Sequence, residues 1–360
     1  MERAIVAGLN TETTDSYLEL TELAITAGAE IVGSVIQNRP SPDPMFFIGK
    51  GKVDELILKA KELKTNMVIF NHNLKPKQQS NLEEATKLKI VDRCTLILDI
   101  FARHARSNEG KLQVELAQLS YLLPRLAGKG VEMSQTGGGS RGGIGTIGPG
   151  ETKLEVDRRA IRNRIDFLKE KLEVVKKHRS LQRDGRKAKG FLTAAFVGYT
   201  NSGKSTLLNA LTRAGVLAEN KLFSTLDTTT RKLNLRGGEK VLLTDTVGFI
   251  RNLPAELIAS FRATLEETKF ADILIIVLDT GKTDIEVQND TIYKELKALD
   301  VLKKPIITVL NKIDIADASR ILRLEREIEG AISISAANKT NLDILLAKIS
   351  LVYNDLLTNS

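Results

Sequence analysis

The chain reads as an α/β protein in three parts. A small N-terminal α/β domain covers residues 1–108, a long antiparallel helical hairpin covers 109–189, and a C-terminal α/β domain with a mostly parallel, doubly wound sheet covers 190–360. Three observations lead there. Short apolar runs alternate with helical patterns at both ends of the chain, as parallel sheets with crossover helices require. A heptad-spaced apolar seam fills the middle. The 360 residues also exceed what one core ordinarily serves.

In the first hundred residues, Ala4–Gly8, Ile31–Ile36 and Met67–Phe70 read as strands. Tyr17–Ala27, Val53–Leu63 and Lys77–Leu88 between and after them read as helices. Residues 111–126 form a further helix pattern with apolar Val114, Leu116, Leu119, Leu122 and Leu123, and Pro124 lies close to its end. The stretch 136–150, TGGGSRGGIGTIGPG, holds too many glycines for a helix or strand and reads as a mobile loop whose single charge is Arg141. A second helix opens at Glu151. Its apolar positions Leu154, Ile161, Ile165, Leu168, Leu172 and Val175 make one seam, and the helix before the loop is its nearest partner. His178–Gly190 then reads as a basic linker.

Composition narrows the class. Apolar residues are 42% and charged residues 27%, which suits a globular chain. The single cysteine, Cys94, cannot form an internal disulfide, so a reducing, cytoplasmic setting is expected. The first residues, MERAIVAGLNTETTD, do not read as a signal peptide, and the longest apolar runs are strand-sized, so no stable membrane insertion is expected. The net charge of +8 is unevenly spread. Residues 151–190 hold 14 basic and 7 acidic residues, a net of +7, whereas 191–360 hold 21 of each. A concentrated basic segment suits a polyanionic partner such as nucleic acid, and equally suits a solvated helix face.

The chemistry is written at strand ends. Phe191–Val197 runs into Gly198-Tyr199-Thr200-Asn201-Ser202-Gly203-Lys204-Ser205, followed by Thr206 and a helix pattern. This is the GxxxxGK[ST] loop in its strand–loop–helix setting. Its backbone N–H groups are expected to close around phosphates at a helix N-terminus, with Lys204 on the β- and γ-phosphates and Ser205 on Mg2+. The strand Val241–Thr244 ends in Asp245-Thr246-Val247-Gly248: a carboxylate for Mg2+ and a glycine N–H for the γ-phosphate. Ile306–Leu310 ends in Asn311-Lys312-Ile313-Asp314. Asp314 suits the N1–H and amino pair of guanine, which adenine lacks; Asn311 positions the loop and the Lys312 stem lies over the base. Ile332–Ile334 leads to Ser335, Ala336 and Ala337, whose backbone suits the guanine O6. Between the first two motifs, Leu222–Arg231 supplies Phe223, Ser224 and a threonine to complete the Mg2+ shell. Thr225 is the choice, with Thr228 and Thr229 as rivals.

Taken together, GYTNSGKST, LFSTLDTTTR, DTVGFIRNLP, NKID and SAAN resemble the translation-factor-related GTPases nearest to Obg. FFIGKGKVDEL at 46–56, GPGETKLEVDRR at 148–159, FSTLD and DTVGFIRNLPAELIASFRATLEE at 245–267 resemble the HflX family more specifically, over roughly residues 4–346. The resemblance implies a P-loop GTPase fold for the last domain, hydrolysis of GTP to GDP, and binding of the N-terminal domain to the large ribosomal subunit and its rRNA. It implies approach of the hairpin and glycine loop to the peptidyl-transferase region, and the splitting of stalled or idle ribosomes. A GTP-regulated RNA-binding or assembly factor without splitting activity is the alternative, and the chain is expected to act as a monomer.

Phe249 stands where Ras-type proteins carry glutamine, and it cannot orient water, so hydrolysis must be helped from elsewhere. Asn201 is a candidate ligand for K+ beside the phosphates, a feature of several relatives with GxxNxGKS loops. It serves equally well as an internal hydrogen-bonding residue of the loop. A metabolic kinase has no reason to carry NKID. An RNA-modifying enzyme needs a catalytic cluster that His72, His104, His178 and one cysteine do not make. A membrane-remodelling GTPase needs an amphipathic basic helix with aromatic anchors.

Overall fold

The computed structural model describes residues 2–10, 14–136, 153–188, 190–212, 223, 228–235, 237–250 and 267–358. These fall into two compact units. One holds the described residues up to Arg103 together with Asn108–Val175; the other holds His104–Ser107 and the described residues from Lys176 onward.

In the first unit, β1 (Glu2–Leu9), β2 (Ala29–Gln37), β3 (Met67–Phe70) and β4 (Lys89–Val91) form an all-parallel sheet in the order β2-β1-β3-β4. The central strand β1 is buried from Ala4 to Leu9, as a strand covered on both faces must be. The crossovers are α1 (Thr14–Thr26), α2 (Lys50–Glu62) and α3 (Pro76–Thr86). Pro76 sits in the first turn of α3, where its fixed φ fits and its missing N–H costs nothing. Neither β4 nor the next helix, α4 (Arg93–His104), is among the sequence expectations.

The helical region corrects two expectations. The first helix, α5 (Asn108–Thr136), does not stop near Pro124 but runs twelve residues beyond it. Pro124 is exposed, so its ring displaces no packed side chain of the seam. The second helix, α6 (Lys153–Ala188), absorbs the expected basic linker, since residues 178–188 are helical. The Lys, Arg and Gln of this stretch are good helix formers, and Gly185 is tolerated at about 1 kcal/mol. The two helices pack through Leu116, Ile165 and Leu168, flanked by Leu112, Leu119, Leu123, Ile161 and Leu172. Arg164 adds a two-pronged ion pair to Glu115, at 2.7 and 2.9 Å. The glycine loop lies outside the described residues.

One carboxylate ties α5 to the sheet. Asp92 follows β4 and is fully buried. Its Oδ1 accepts from the Thr95 N–H (2.8 Å) and hydroxyl (2.7 Å), and its Oδ2 from the Leu74 N–H (3.1 Å), the Arg125 guanidinium (3.4 Å) and the Tyr121 hydroxyl. Arg125 in turn stacks on the Tyr121 ring. Asp92→Ala removes the buried carboxylate that these donors share and is expected to cost this unit about 3 kcal/mol. Urea denaturation reads it; an unchanged midpoint contradicts this account of the anchor.

In the second unit, the strands are β5 (Leu192–Val197), β6 (Thr229–Asn234), β7 (Lys240–Asp245), β8 (Ile273–Asp279), β9 (Ile306–Asn311) and β10 (Ile332–Ser333). The sheet order is β10-β9-β8-β5-β7-β6, parallel except for the antiparallel β6–β7 edge. β8, ILIIVLD, is buried along its whole length. One face packs Phe196, Leu243 and Val277 against α7 (Lys204–Thr212) and α10 (Leu342–Thr358). The other packs Leu274, Ile276 and Leu278 against α8 (Ile285–Ala298) and α9 (Ala318–Glu327). Both faces are covered, so the carboxyl ends of the parallel strands are where side chains remain available for chemistry.

Candidate functional site

The loop Gly198–Gly203 leaves the end of β5, which lies between β8 and β7, and opens α7. This is the position in an open parallel sheet where ligands settle. The loop is tight. A Cβ at Gly198 would collide with the Val277 carbonyl, and one at Gly203, whose φ is +95°, with the Asn311 amide. Asn201 adopts φ +61°, a left-handed conformation that asparagine tolerates better than most residues.

Lys204 is buried, and its Nζ donates to the carbonyls of Gly198 (3.1 Å) and Tyr199 (2.7 Å). Burial pushes its amine down to about 8, partly offset by the Asp245 carboxylate. The Ser205 hydroxyl donates to Asp245 Oδ2 at 2.6 Å. Asp245 is completely buried at the end of β7. The structure thus brings the Lys, Ser and Asp of two motifs forty residues apart into one cluster.

The DTVG segment closes over the loop. Gly248 approaches so closely that an added Cβ would lie 2.7 Å from the Thr200 backbone and 2.9 Å from Lys204 Nζ. The Phe249 N–H donates to the Gly198 carbonyl (3.0 Å), and the Phe249 carbonyl accepts from the Thr200 N–H (2.8 Å). Thr246 turns its hydroxyl to the Phe196 carbonyl at 2.6 Å, so its side chain braces β5; Val247 is buried.

Asn311 holds three loops at once. Its amide donates to the Ser202 carbonyl (2.8 Å), and its Oδ1 accepts from the Ala336 N–H (3.0 Å). Its backbone carbonyl accepts from the Thr280 N–H (3.0 Å) and hydroxyl (2.9 Å). Lys312, at φ +68°, pairs with Asp279 Oδ2 at 2.9 Å. Asp314 stands exposed in the short turn Ile313–Ile315. The Ile313 N–H donates to the Ile334 carbonyl, which brings the NKID loop against Ser335–Ala337. Ser335 and Ala336 are buried, Ala337 is exposed, and the Ser335 hydroxyl accepts from the Asn338 N–H at 3.0 Å.

Phe223 is buried. Ser224 and Thr225 lie outside the described residues. Of the rival threonines, Thr228 accepts at its hydroxyl from Arg179 (3.4 Å), and Thr229 stands opposite Asp245 in the β6–β7 register. Sequence reading missed Asp279 and Thr280, whose only signal is their place at the end of a fully apolar strand.

A protein named GTPase HflX from Caldanaerobacter subterraneus subsp. tengcongensis is 51% identical to this chain over 350 residues, which are 97% of the chain and 80% of the relative. The chain belongs to the HflX family of GTPases. The relative of the same name from Escherichia coli K12 is 42% identical over 83% of the chain and 69% of its own length. Family models described as GTP-binding GTPase N-terminal, GTP-binding GTPase Middle Region and 50S ribosome-binding GTPase match residues 14–102, 104–186 and 193–312. Among solved structures, the SsGBP–GDP complex aligns over 99% of both chains with a TM-score of 0.54 and 28% identity. A GTP-binding protein from Sulfolobus solfataricus, also with GDP, aligns over 99% of this chain and 100% of its own, with a TM-score of 0.50 and 27% identity. The chain is accordingly a GTP-binding enzyme that hydrolyses GTP to GDP and phosphate. Among the described residues, no helix is long and apolar enough to cross a membrane.

Proposed function

We propose that this GTPase associates with the large ribosomal subunit and its rRNA in its GTP state and dissociates stalled or idle ribosomes. The observation that carries the reading is the joint one: an HflX-family chain whose excess charge, +7, sits on one 40-residue segment, most of it helix α6. Few aromatics and no tryptophan leave backbone and shape contacts as the means of holding RNA. The family model's description, 50S ribosome-binding GTPase, supports the same partner. Sedimentation of the full chain with ribosomes in each nucleotide state is the test.

In this reading, the loop Gly198–Thr206 wraps the phosphates, with Lys204 leaving the carbonyls of Gly198 and Tyr199 for phosphate oxygens. Ser205 and Asp245 form a hydroxyl–carboxylate pair of hard oxygen donors, which fits Mg2+ when phosphate oxygens complete its shell. They would hold the ion with Thr225, and it would neutralise charge on the transferring phosphoryl group. Gly248 offers its N–H to the γ-phosphate. Asp314 selects guanine, Asn311 fixes the loop, Lys312 lies beside the base, and the Ser335–Ala337 backbone meets O6.

Phe249 offers no group that polarises water, so transition-state charge must be met by other means. Asn201 at the loop's tip is the candidate ligand of K+. GTP turnover is expected to be roughly tenfold faster in K+ than in Na+ at equal ionic strength, with the difference lost in Asn201→Ala. Equal rates in the two salts would remove the cation and leave the ribosome as the activator.

A further inference from the structure

Near the basic end of α6, Arg179 reaches two separate parts of the GTPase unit. Arg179 lies in the part of α6 that belongs to that unit. One arm of its guanidinium is 3.6 Å from Glu267 Oε1, and the other donates to the Thr228 hydroxyl at 3.4 Å. Arg179 and Glu267 are 24% and 14% exposed, so the charges are less screened than a surface pair. A planar fork is suited to serving two partners from one position.

The identity of the two partners matters more than the bonds themselves. Thr228 directly follows the stretch that holds Ser224 and Thr225, and immediately precedes β6. Glu267 closes the stretch that begins with DTVGF. These are the two segments whose placement depends on the γ-phosphate if Thr225 and Gly248 meet it as proposed above. A single residue of the helix therefore grips the far end of both. Any displacement of either end moves an acceptor of Arg179 relative to α6, and α6 continues without a break from Ala188 back to Lys153.

We propose that Arg179 is the positioning residue that couples the two phosphate-responsive segments of the GTPase unit to helix α6, so that the helix reports the nucleotide state. This rests on the site assignment of the preceding subsection and adds its output to it. The coupling is reciprocal: what changes the seating of α6, such as a polyanion bound to its basic face, also changes the seating of Thr228 and Glu267 and with it the affinity for GTP relative to GDP.

The chain allows a clean test. Cys94 is its one cysteine and is buried, whereas Leu181, on α6 two residues from Arg179, is 69% exposed. The full chain carrying Leu181→Cys is labelled with an environment-sensitive fluorophore, and its emission is compared with GDP and with a non-hydrolysable GTP analogue. A difference between the two states is expected. Arg179→Ala should shrink that difference and slow single-turnover hydrolysis by roughly fivefold, with GDP affinity kept within about twofold. Arg179→Lys should restore part of both, and Glu267→Gln should reproduce the loss. A parent protein whose label ignores the nucleotide overturns the proposal. So does an Arg179→Ala protein with an intact response, or one that loses GDP affinity and thermal stability together, as a merely structural residue would. Lys204→Ala in the labelled chain separates the two layers. A response surviving there sinks the site assignment itself, whereas a response lost there but intact in Arg179→Ala sinks only the coupling.

Discussion

Lys204→Ala is expected to abolish GTP turnover and weaken GDP binding by about 100-fold or more, since it removes two charge-assisted hydrogen bonds from a buried phosphate site. In the structure its ammonium is held at 3.1 and 2.7 Å by two carbonyls of the loop it serves. Its titration supplies a second measurement on the unmutated protein. Burial lowers the amine from 10.5 to about 8, so between those values the unfolded chain keeps a proton that the folded chain has released. Stability of the nucleotide-free protein therefore rises with pH through this window. Phosphate oxygens favour the charged form and draw the proton back, so binding has the opposite slope. Affinity for fluorescent GDP should fall about fourfold between pH 7 and 8.5. Flat affinity across that range, or wild-type turnover in Lys204→Ala, rules Lys204 out of the phosphate site.

Asp314→Asn is expected to exchange guanine selectivity for xanthine selectivity. In the proposed base site the carboxylate would accept from guanine N1–H and the amino group, whereas an amide would present a donor to the C2 carbonyl of xanthine. Leaving such a polar group unmatched costs several kcal/mol, so the preference should move by about 10⁴ in total. The surrounding loop is braced independently of Asp314, through the Asn311 bonds to Ser202 and Ala336 and the Lys312–Asp279 pair. The variant should therefore fold and keep its phosphate contacts. Competition of XTP against GTP measures the exchange; GTP affinity left intact would remove Asp314 from the base site.

Much of the GTPase unit was legible because its chemistry is local in sequence. Each motif is a short run at the end of a buried strand, and a strand such as IITVL followed by NKID announces both at once. What was not legible arises where distant segments meet. Asp279 and Lys312 pair because β8 and β9 set Asp279 beside Asn311, a register that no single stretch encodes. The bonds from Phe249 to Gly198 and Thr200 are backbone to backbone and carry no residue signature. In the N-terminal unit α4 is buried on most of its surface, with Arg93, Cys94, Leu96, Ile97, Leu98, Ile100 and Phe101 all inside. Its exposed face is narrow, confined to Asp99, Ala102 and Arg103, and gives a weak period in a twelve-residue helix. Arg93 is there at all only because Asn71 and Glu19 receive its guanidinium at 2.8 and 2.5 Å. By composition the basic end of α6 reads as a linker, and it is helix because charged, straight side chains favour one wherever the backbone is not otherwise held.

The nucleotide is expected to govern engagement with ribosomes. The direct measurement is sucrose-gradient sedimentation of 70S ribosomes with the full chain, in parallel with GDP, with GTP and with a non-hydrolysable GTP analogue. The expected result is conversion of 70S particles to subunits with GTP and with the analogue, the protein travelling with the large subunit in the analogue gradient, and binding that weakens steeply with salt. Intact 70S particles in all three gradients, or the same distribution of protein whichever nucleotide is present, would contradict it.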